Sequence, residues 1–225
     1  MDKHSKRLVG RAGLKLEAAL DRFKLTEAVR GAHAVDVGAS TGGFTQVLLD
    51  HGAADVWCVD SGRAQLHESL RDDRRITNLE GTDWKRLALS EAPGPFDFFT
   101  VDVSFVAARN MLRGLAFRLR EGADGVVLVK PQFELPDHLV RGGDVSDPGL
   151  RRLALDRFSK KAEGLGFRIV AHEDSPVPGG EGTVEILTHL RFEGRSDKLP
   201  QPGQRRPARP LPDPAKPRHK AKHAG

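Results

Sequence analysis

Cysteine is almost absent from this sequence and tyrosine is missing: the 225 residues include one cysteine, Cys58, and no tyrosine. A single cysteine forms no internal disulfide, which argues against a disulfide-stapled secreted domain and favours a reducing, cytoplasmic location. No apolar run is long enough to span a membrane, and no apolar segment follows the basic N-terminal residues as in a secretory signal. The sequence therefore predicts a protein without a membrane partner, and no metal site is predicted.

Positive charge is concentrated at the C-terminal end. Residues 194–225 contain nine Lys or Arg residues, two Asp residues and seven prolines, which gives a local net charge of +7. Because the whole chain carries +5, residues 1–193 carry −2. A segment so rich in charge and proline buries no core. We therefore predict a folded domain over 1–193 and a disordered tail over 194–225, which is either a solubility appendage or a polyanion-binding arm.

A glycine-rich segment is the most informative local feature. The apolar run Val35–Val37 leads into Gly38-Ala39-Ser40-Thr41-Gly42-Gly43 and then a helical pattern, and a second apolar run ends at Asp60. This order of strand, loop, helix, strand and acid is typical of the first βαβ unit of a nucleotide site. A dinucleotide fingerprint needs glycine where Ser40 stands, because backbone must approach a pyrophosphate there. The sequence thus disfavours NAD and FAD.

An adenosyl cofactor without a pyrophosphate remains, and S-adenosylmethionine is the predicted ligand. Asp60 is expected to bind its ribose hydroxyls, while the loop cradles its amino-acid end. The alternative is a tight strand-to-helix turn that binds nothing. The residues predicted to form this part of the site are Asp36, Gly38, Ser40, Gly42, Gly43, Phe44 and Asp60.

Short apolar runs alternate with helical patterns up to residue 193. Strands are predicted at 33–37, 55–60, 75–79, 96–102, 124–130, 166–172 and 184–192. Helices are predicted at 13–23, 43–51, 64–71, 106–120 and 147–164. Strands that alternate with helices indicate an α/β fold with a mostly parallel, doubly wound sheet. Because the last two of the seven strands are close in sequence, we predict the Rossmann-like methyltransferase variant, with an antiparallel final strand.

Four charged residues stand where apolar residues would be expected. Asp102 and Lys130 follow the fourth and fifth predicted strands, and the carboxyl ends of such strands form ligand sites. A partly desolvated lysine can act as a base, although Lys130 could also close the strand with a salt bridge. Lys15 interrupts the apolar face of the first helix, and Glu185 lies inside the last strand pattern. Lys15 could instead be a snorkelling surface lysine, and Glu185 could face solvent.

Taken together, these motifs resemble a known family. The chain is similar, over roughly residues 8–192, to the haemolysin A (TlyA) type of ribosomal RNA 2′-O-methyltransferase, within the FtsJ-like class. The motifs that carry the resemblance are Arg11–Leu16, Asp36–Thr45, Asp102–Phe105, Lys130–Glu134, and Ser175-Pro176 with Glu185.

The resemblance implies transfer of a methyl group from S-adenosylmethionine to a ribose 2′-hydroxyl, with RNA, specifically ribosomal RNA or a ribosomal subunit, as partner. It also implies a catalytic tetrad, which falls on Lys15, Asp102, Lys130 and Glu185. Asp102 is also expected to contact the cofactor, and Asp83 stands near the adenine, where the family usually has Asn. Members usually begin with a small S4-type RNA-binding domain, and this sequence starts where that domain would end.

A 2′-hydroxyl is a weak nucleophile that needs orientation and help with its proton. We therefore predict that Lys130 is the base or the hydroxyl-orienting group, tuned by Asp102 and Lys15, and that Glu185 positions a lysine or the hydroxyl. Base amino methylation fits less well because no Pro-Pro-aromatic motif follows Asp102. Two alternatives remain: a non-catalytic RNA-binding or haemolysin-like protein on this fold, and a small-molecule methyltransferase, which would need an enclosed acceptor pocket rather than an open basic rim.

Overall fold

A single seven-stranded sheet organises the chain. The computed structural model describes residues 8–92, 94–140, 145, 147–179 and 182–195. The strands follow the order β3-β2-β1-β4-β5-β7-β6; all are parallel except β7, which runs antiparallel to both β5 and β6. This confirms the predicted Rossmann-like methyltransferase fold with an antiparallel final strand. The strands are β1 (His33–Val37), β2 (Asp55–Asp60), β3 (Ile76–Glu80), β4 (Phe96–Val101), β5 (Leu119–Val129), β6 (Phe167–Asp174) and β7 (Ile186–Phe192).

Helices cover both faces of this sheet. The helices are α1 (Ala12–Arg22), α2 (Thr26–Val29), α3 (Gly43–Asp50), α4 (Glu68–Arg71), α5 (Leu112–Ala116), α6 (Pro131–Glu134) and α7 (Pro148–Glu163), with 3₁₀ turns at Ala108–Asn110 and Asp137–Leu139. Because alternate residues of a strand point to opposite faces, each central strand contributes side chains to two cores. Phe98 packs with the residues of α1 and α3, and Phe99 packs with those of α5 and α7. No helix in the described segments is long and apolar enough to cross a membrane.

The strand order reverses between β1 and β4, and this switch point places the site. The two strands are paired to their ends, where Val37 lies opposite Val101, so the loops that follow them start side by side. Gly38, with φ +89°, directly follows β1, and a Cβ there would overlap the backbone carbonyl of Asp102. Glycine therefore lets the loop after β1 touch the loop after β4. Ligands of open α/β sheets bind in such a crevice.

Two predicted helices are shorter than the pattern suggested. The helix predicted over 64–71 is reduced to Glu68–Arg71, because the Glu80 carboxylate accepts the backbone N–H groups of Gln65 and Leu66 and holds that segment as a loop. The helix predicted over 106–120 is a 3₁₀ turn followed by five residues of α-helix, and β5 already begins at Leu119. In the first case a side-chain contact between residues distant in sequence, which leaves no periodic signal, overrides the local preference for helix.

Two further predictions concern the last strand and the C-terminal tail. Glu185, predicted inside the last strand, lies directly before β7, which begins at Ile186. Of the predicted tail, the structure describes only Gly194 and Arg195, so residues 196–225 lie outside the described residues. The basic N-terminal residues Lys3, Lys6 and Arg7 also lie outside them. The division into a folded domain and a disordered tail therefore stays a prediction.

Candidate active site

A cavity of about 620 Å³ opens at the carboxyl ends of β1, β2 and β4. This volume lies within the range of small-molecule and cofactor sites. Its wall combines the loops that follow these strands with one edge of the segment after β3. The residues that line it are Val37, Gly38, Ser40, Val59, Asp60, Ser61, Gly62, Gln65, Thr82, Asp83, Trp84, Lys85, Asp102, Val103, Ser104, Phe105, Val106 and Met111.

Asp60 is fixed at one side of the cavity by two backbone donors. The N–H of Ser40 donates to Asp60 Oδ2 at 2.8 Å, and the N–H of Gly62 donates to Asp60 Oδ1 at 2.7 Å. A carboxylate has about four lone-pair sites, so each oxygen keeps acceptor capacity for a ligand. Asp60 is therefore held in one orientation and can accept hydrogen bonds from a pair of neighbouring hydroxyls.

The segment after β3 forms a second wall. The N–H of Thr82 donates to the Asp60 carbonyl at 2.8 Å, which ties this segment to the end of β2. Asp83 lines the cavity, and its Oδ1 accepts the N–H of Lys85 at 3.0 Å. Trp84 is only 4% exposed and is among the residues that line the same space. This wall therefore combines an aromatic residue with one acid.

Part of the predicted cofactor loop lies behind the cavity rather than on its wall. Asp36 is fully buried, and it accepts hydrogen bonds from Thr45 Oγ1 and Thr100 Oγ1, both at 2.8 Å. Burial raises the pKa of Asp36 to about 6, although the two hydroxyl donors oppose this shift. The Asp36 side chain, on β1, thus links α3 through Thr45 to β4 through Thr100. It does not reach the ligand space, because β1 directs it towards the core.

Gly42, Gly43 and Phe44 also act on the shape of the loop. Gly42 has φ +91° and packs against leucine side chains, and a Cβ on Gly43 would press on the backbone of Gly13 in α1. Phe44 is 2% exposed in the core. None of the three is among the residues on the cavity wall, whereas Gly38 and Ser40 are. Within this loop, Gly38 and Ser40 are the predicted cofactor residues that line the cavity.

The four predicted catalytic side chains meet in one cluster beside the cavity. Lys130 Nζ lies 2.7 Å from Asp102 Oδ1 and 3.9 Å from Glu185 Oε1. Lys15 Nζ donates to Glu185 Oε2 at 2.5 Å. Glu185 therefore places one carboxylate oxygen near each lysine. The cluster combines two cations with two anions, and Lys15, Lys130 and Glu185 are all less than a tenth exposed.

Four separate elements deliver these groups. Lys15 lies on α1, whose Gly13 crosses close to Gly43 at the start of α3, so α1 is docked against the glycine-rich loop. Asp102 and Lys130 directly follow β4 and β5, which are neighbours in the sheet. Glu185 is held by its own carbonyl, which accepts the N–H of Ser175 at 2.8 Å. The cluster therefore depends on the whole fold.

Two further residues of the site had no role assigned from the sequence. Lys130 Nζ donates to Ser104 Oγ at 2.8 Å, so Ser104 completes the surroundings of the lysine. Phe105 is 89% exposed with φ +66°, and its ring lies 5.7 Å from that of Phe133. Both belong to the Asp102–Phe105 motif. Their signal in the sequence was the short polar and aromatic stretch directly after a buried strand.

A buried ion pair connects the segments that follow β4 and β5. Glu134 is fully buried, its carboxylate pairs with the Arg109 guanidinium, and it also accepts the Arg109 backbone N–H at 3.2 Å. Burial raises the pKa of Glu134, while Arg109 opposes the shift. Glu134 ends the helical turn that starts at Lys130, and Arg109 lies shortly after Phe105. The pair thus connects the segment after β5 to the segment after β4.

Known proteins are similar in sequence to most of this chain. The chain is 42% identical over 186 residues to the 16S/23S rRNA (cytidine-2′-O)-methyltransferase TlyA of Mycobacterium tuberculosis, an alignment that covers 82% of this chain and 69% of that protein. It is 35% identical over 187 residues to Hemolysin A of Brachyspira hyodysenteriae, across 81% of this chain and 76% of that protein.

Solved structures point the same way. A candidate hemolysin from Streptococcus thermophilus matches with a TM-score of 0.79 and 36% identity, over 89% of this chain and 73% of that one. An S-adenosylmethionine-dependent methyltransferase from Mesorhizobium loti shares the fold, with a TM-score of 0.54 and 18% identity over 79% of this chain and 97% of that one. The FtsJ-like methyltransferase family matches residues 8–192, most of the chain. The chain belongs to the FtsJ-like methyltransferase family.

Proposed function

We propose that this chain transfers the methyl group of S-adenosylmethionine to a ribose 2′-hydroxyl of ribosomal RNA. The observation that carries the proposal is the cluster of Lys15, Asp102, Lys130 and Glu185 at the edge of the cavity. It provides hydrogen-bond donors and acceptors for a hydroxyl. The Mycobacterium tuberculosis relative, a 16S/23S rRNA (cytidine-2′-O)-methyltransferase, supports this assignment.

The cavity fits an adenosyl cofactor. Asp60 would hold the ribose hydroxyls, Gly38 and Ser40 would lie along the amino-acid end, and Asp83 with Trp84 would flank the adenine. The fit rests on Asp60, whose two oxygens are oriented by backbone donors and keep lone pairs for a diol. When bound, S-adenosylmethionine supplies an electrophilic methyl group on a sulfonium. The predicted roles of Asp36, Gly42, Gly43 and Phe44 become support of this loop.

The lysine cluster would act on the acceptor. Lys130 has three N–H donors or, when neutral, one lone pair. It contacts Asp102 and Ser104, which both line the cavity. It would hold the 2′-hydroxyl oxygen in line for attack and take or guide its proton, which is the help that this weak nucleophile needs. Glu185 would fix both lysines, and Lys15 would balance its charge. The side chains of Lys15, Asp102, Lys130 and Glu185 are thus in contact with one another before substrate binds.

The surface beside the cluster favours a large acceptor. Phe105 exposes most of its ring at the mouth of the cavity, and Leu14, next to Lys15, is half exposed. An exposed aromatic ring beside the cavity suits a nucleotide, because a base can stack on it. A small-molecule methyltransferase would instead cover its acceptor. A non-catalytic protein would have no need to keep four charged groups in contact.

Substitution of Lys130 tests the proposal. Methyl transfer from labelled S-adenosylmethionine to bulk ribosomal RNA is measured for the wild type, Lys130→Ala, Lys130→Arg and Lys161→Ala, the last being an exposed lysine on α7. We expect both Lys130 variants to lose transfer. Alanine removes the amine, and the guanidinium of arginine does not give up its proton in proteins. The Lys161 variant should retain it. Transfer by Lys130→Ala at the wild-type rate would overturn the assigned role of this lysine.

A further inference from the structure

Arg118 is a buried arginine that lies behind the second wall of the cavity. Arg118, the residue before β5, is 4% exposed, and no ion pair joins it to any of the described residues. Burial lowers the pKa of its guanidinium, and Glu91 opposes that shift, yet an arginine keeps its charge in proteins. Burying a charge is costly unless hydrogen bonds compensate. Its retention at this place requires a structural reason.

The Arg118 guanidinium donates hydrogen bonds to three backbone carbonyls. Nε donates to the Ala92 carbonyl at 2.9 Å, one terminal nitrogen donates to Leu87 at 2.6 Å, and the other donates to Gly114 at 3.0 Å. Two of these carbonyls belong to the irregular segment between β3 and β4, and the third belongs to α5. The Arg118 carbonyl itself accepts the N–H of Phe96 at 2.7 Å. Arg118 thus connects the segment 82–92 to α5 and to the start of β5.

The same guanidinium holds the tryptophan of the cavity wall. Its central carbon lies 4.8 Å from the centroid of the Trp84 ring, within the range of a cation–π contact. Trp84 Nε1 donates to the Met111 carbonyl at 3.0 Å, and Gly114 is so close to the indole that a Cβ there would overlap it. Trp84 is therefore fixed on one face by Arg118 and along its edge by α5. Trp84 is also among the residues that line the cavity.

We infer that Arg118 is a positioning residue for the cofactor: it sets the Asp83–Trp84 wall against which the adenine of S-adenosylmethionine would pack. It touches no ligand itself and acts through Trp84 and the segment 82–92. This inference rests on the proposed cofactor site, and it makes no use of the acceptor or of the lysine cluster. Lysine is a poor replacement, because one ammonium cannot span three carbonyls and cover the ring in the fixed fork of a guanidinium.

Binding of S-adenosylhomocysteine, measured by calorimetry, tests the inference without methyl transfer. Arg118→Met and Arg118→Lys are compared with Phe192→Leu, a core substitution outside the cavity wall, and with Asp60→Ala as a reference for a lost ligand contact. All variants are measured well below their unfolding midpoints. We expect both Arg118 variants to weaken binding about tenfold or more, because three carbonyls lose their donor and the wall moves. Phe192→Leu should bind within about twofold of the wild type despite lower stability.

Two results would overturn the inference: wild-type affinity in both Arg118 variants, or an equal loss of affinity in Phe192→Leu. A second readout separates it from the cofactor assignment. The chain has two tryptophans, so a Trp57→Phe background leaves Trp84 as the sole fluorophore. Acrylamide quenching of Trp84 should rise in Arg118→Met. If the wild type binds no S-adenosylhomocysteine, the cofactor assignment fails, and unchanged quenching would then also overturn the positioning role of Arg118.

Discussion

Lys15 and Glu185 are 170 residues apart in the sequence, yet they form a 2.5 Å ion pair in which both side chains are less than a tenth exposed. The pair joins the first helix to the start of the last strand, so it closes the domain around the catalytic cluster. Breaking a buried pair from one side leaves an uncompensated charge, which is far more costly than the loss of a surface pair.

A double-mutant cycle on this pair should show strong coupling. Lys15→Met alone should lower the free energy of unfolding by about 3 kcal/mol, because it leaves Glu185 buried beside one lysine. The double variant with Glu185→Gln should lose less than the sum of the single losses, by roughly 1–3 kcal/mol. Urea denaturation measures all four proteins. The more exposed pair Arg22–Glu173 is the control, with an expected coupling under about 1 kcal/mol. Additive losses at Lys15 and Glu185 would contradict the buried pair.

Gly179 should be needed for the position of Glu185. A Cβ on Gly179 would overlap Glu185 Oε1, and the backbone there has no positive φ that would by itself strain an alanine. Gly179→Ala should therefore displace the carboxylate and slow methyl transfer about a hundredfold, since small misplacements of catalytic groups are costly. Affinity for S-adenosylhomocysteine should not change, because Glu185 is not on the cavity wall. Gly164→Ala, where a Cβ meets only ordinary contacts, is the matched control. Equal rates in the two variants would show that Glu185 tolerates displacement.

Asp36 should make stability depend on pH. Burial raises its pKa from 3.8 to about 6 in the folded protein. Between these values the unfolded chain has lost the proton that the folded state keeps. The contribution of Asp36 to the free energy of unfolding therefore falls as pH rises from about 4 to about 6, and it is constant above that. The shift corresponds to about 3 kcal/mol. Denaturation at several pH values should show this component in the wild type and not in Asp36→Asn. The same slope in both proteins would assign the dependence to other groups.

The basic tail is predicted to supply RNA affinity. Residues 194–225 carry a local net charge of +7, whereas residues 1–193 carry −2, so phosphate attraction must come from the tail or from a local patch. Removal of residues 195–225 should weaken RNA binding and flatten its dependence on salt, because each phosphate contact releases counterions. Cofactor affinity should stay the same, and methylation should recover at high RNA concentration. An unchanged salt slope would make the tail a solubility appendage.

Local pattern was sufficient where a strand is bounded on both sides by turn residues. The predicted bounds 33–37 and 55–60 are those of β1 and β2, because each apolar run ends at a glycine or a charge. The meeting of Lys15, Asp102, Lys130 and Glu185 followed from the resemblance, since two of these residues were ambiguous by pattern alone. Motifs that occur in order along a chain carry spatial information that periodicity lacks.

The remaining features depend on partners distant in sequence. Asp36 is part of the glycine-rich motif, but Thr100, on β4, and Thr45 take both of its oxygens and keep it behind the cavity. Arg118 reads as an ordinary charge near the end of a helical pattern, yet it is buried on the carbonyls of another segment. Such contacts follow from tertiary packing, which overrides local preference. Sequence alone gives no indication of them.

The position of the transferred methyl group is the most direct test of the proposed function. Ribosomal RNA is incubated with the protein and isotopically labelled S-adenosylmethionine, digested to nucleosides and analysed by mass spectrometry, with Lys130→Ala as the blank. The arrangement of Lys130 between Asp102 and Ser104 at the cavity edge predicts label on the ribose of a 2′-O-methylnucleoside. Label on a base, or no label with wild-type protein that binds S-adenosylhomocysteine, would contradict it.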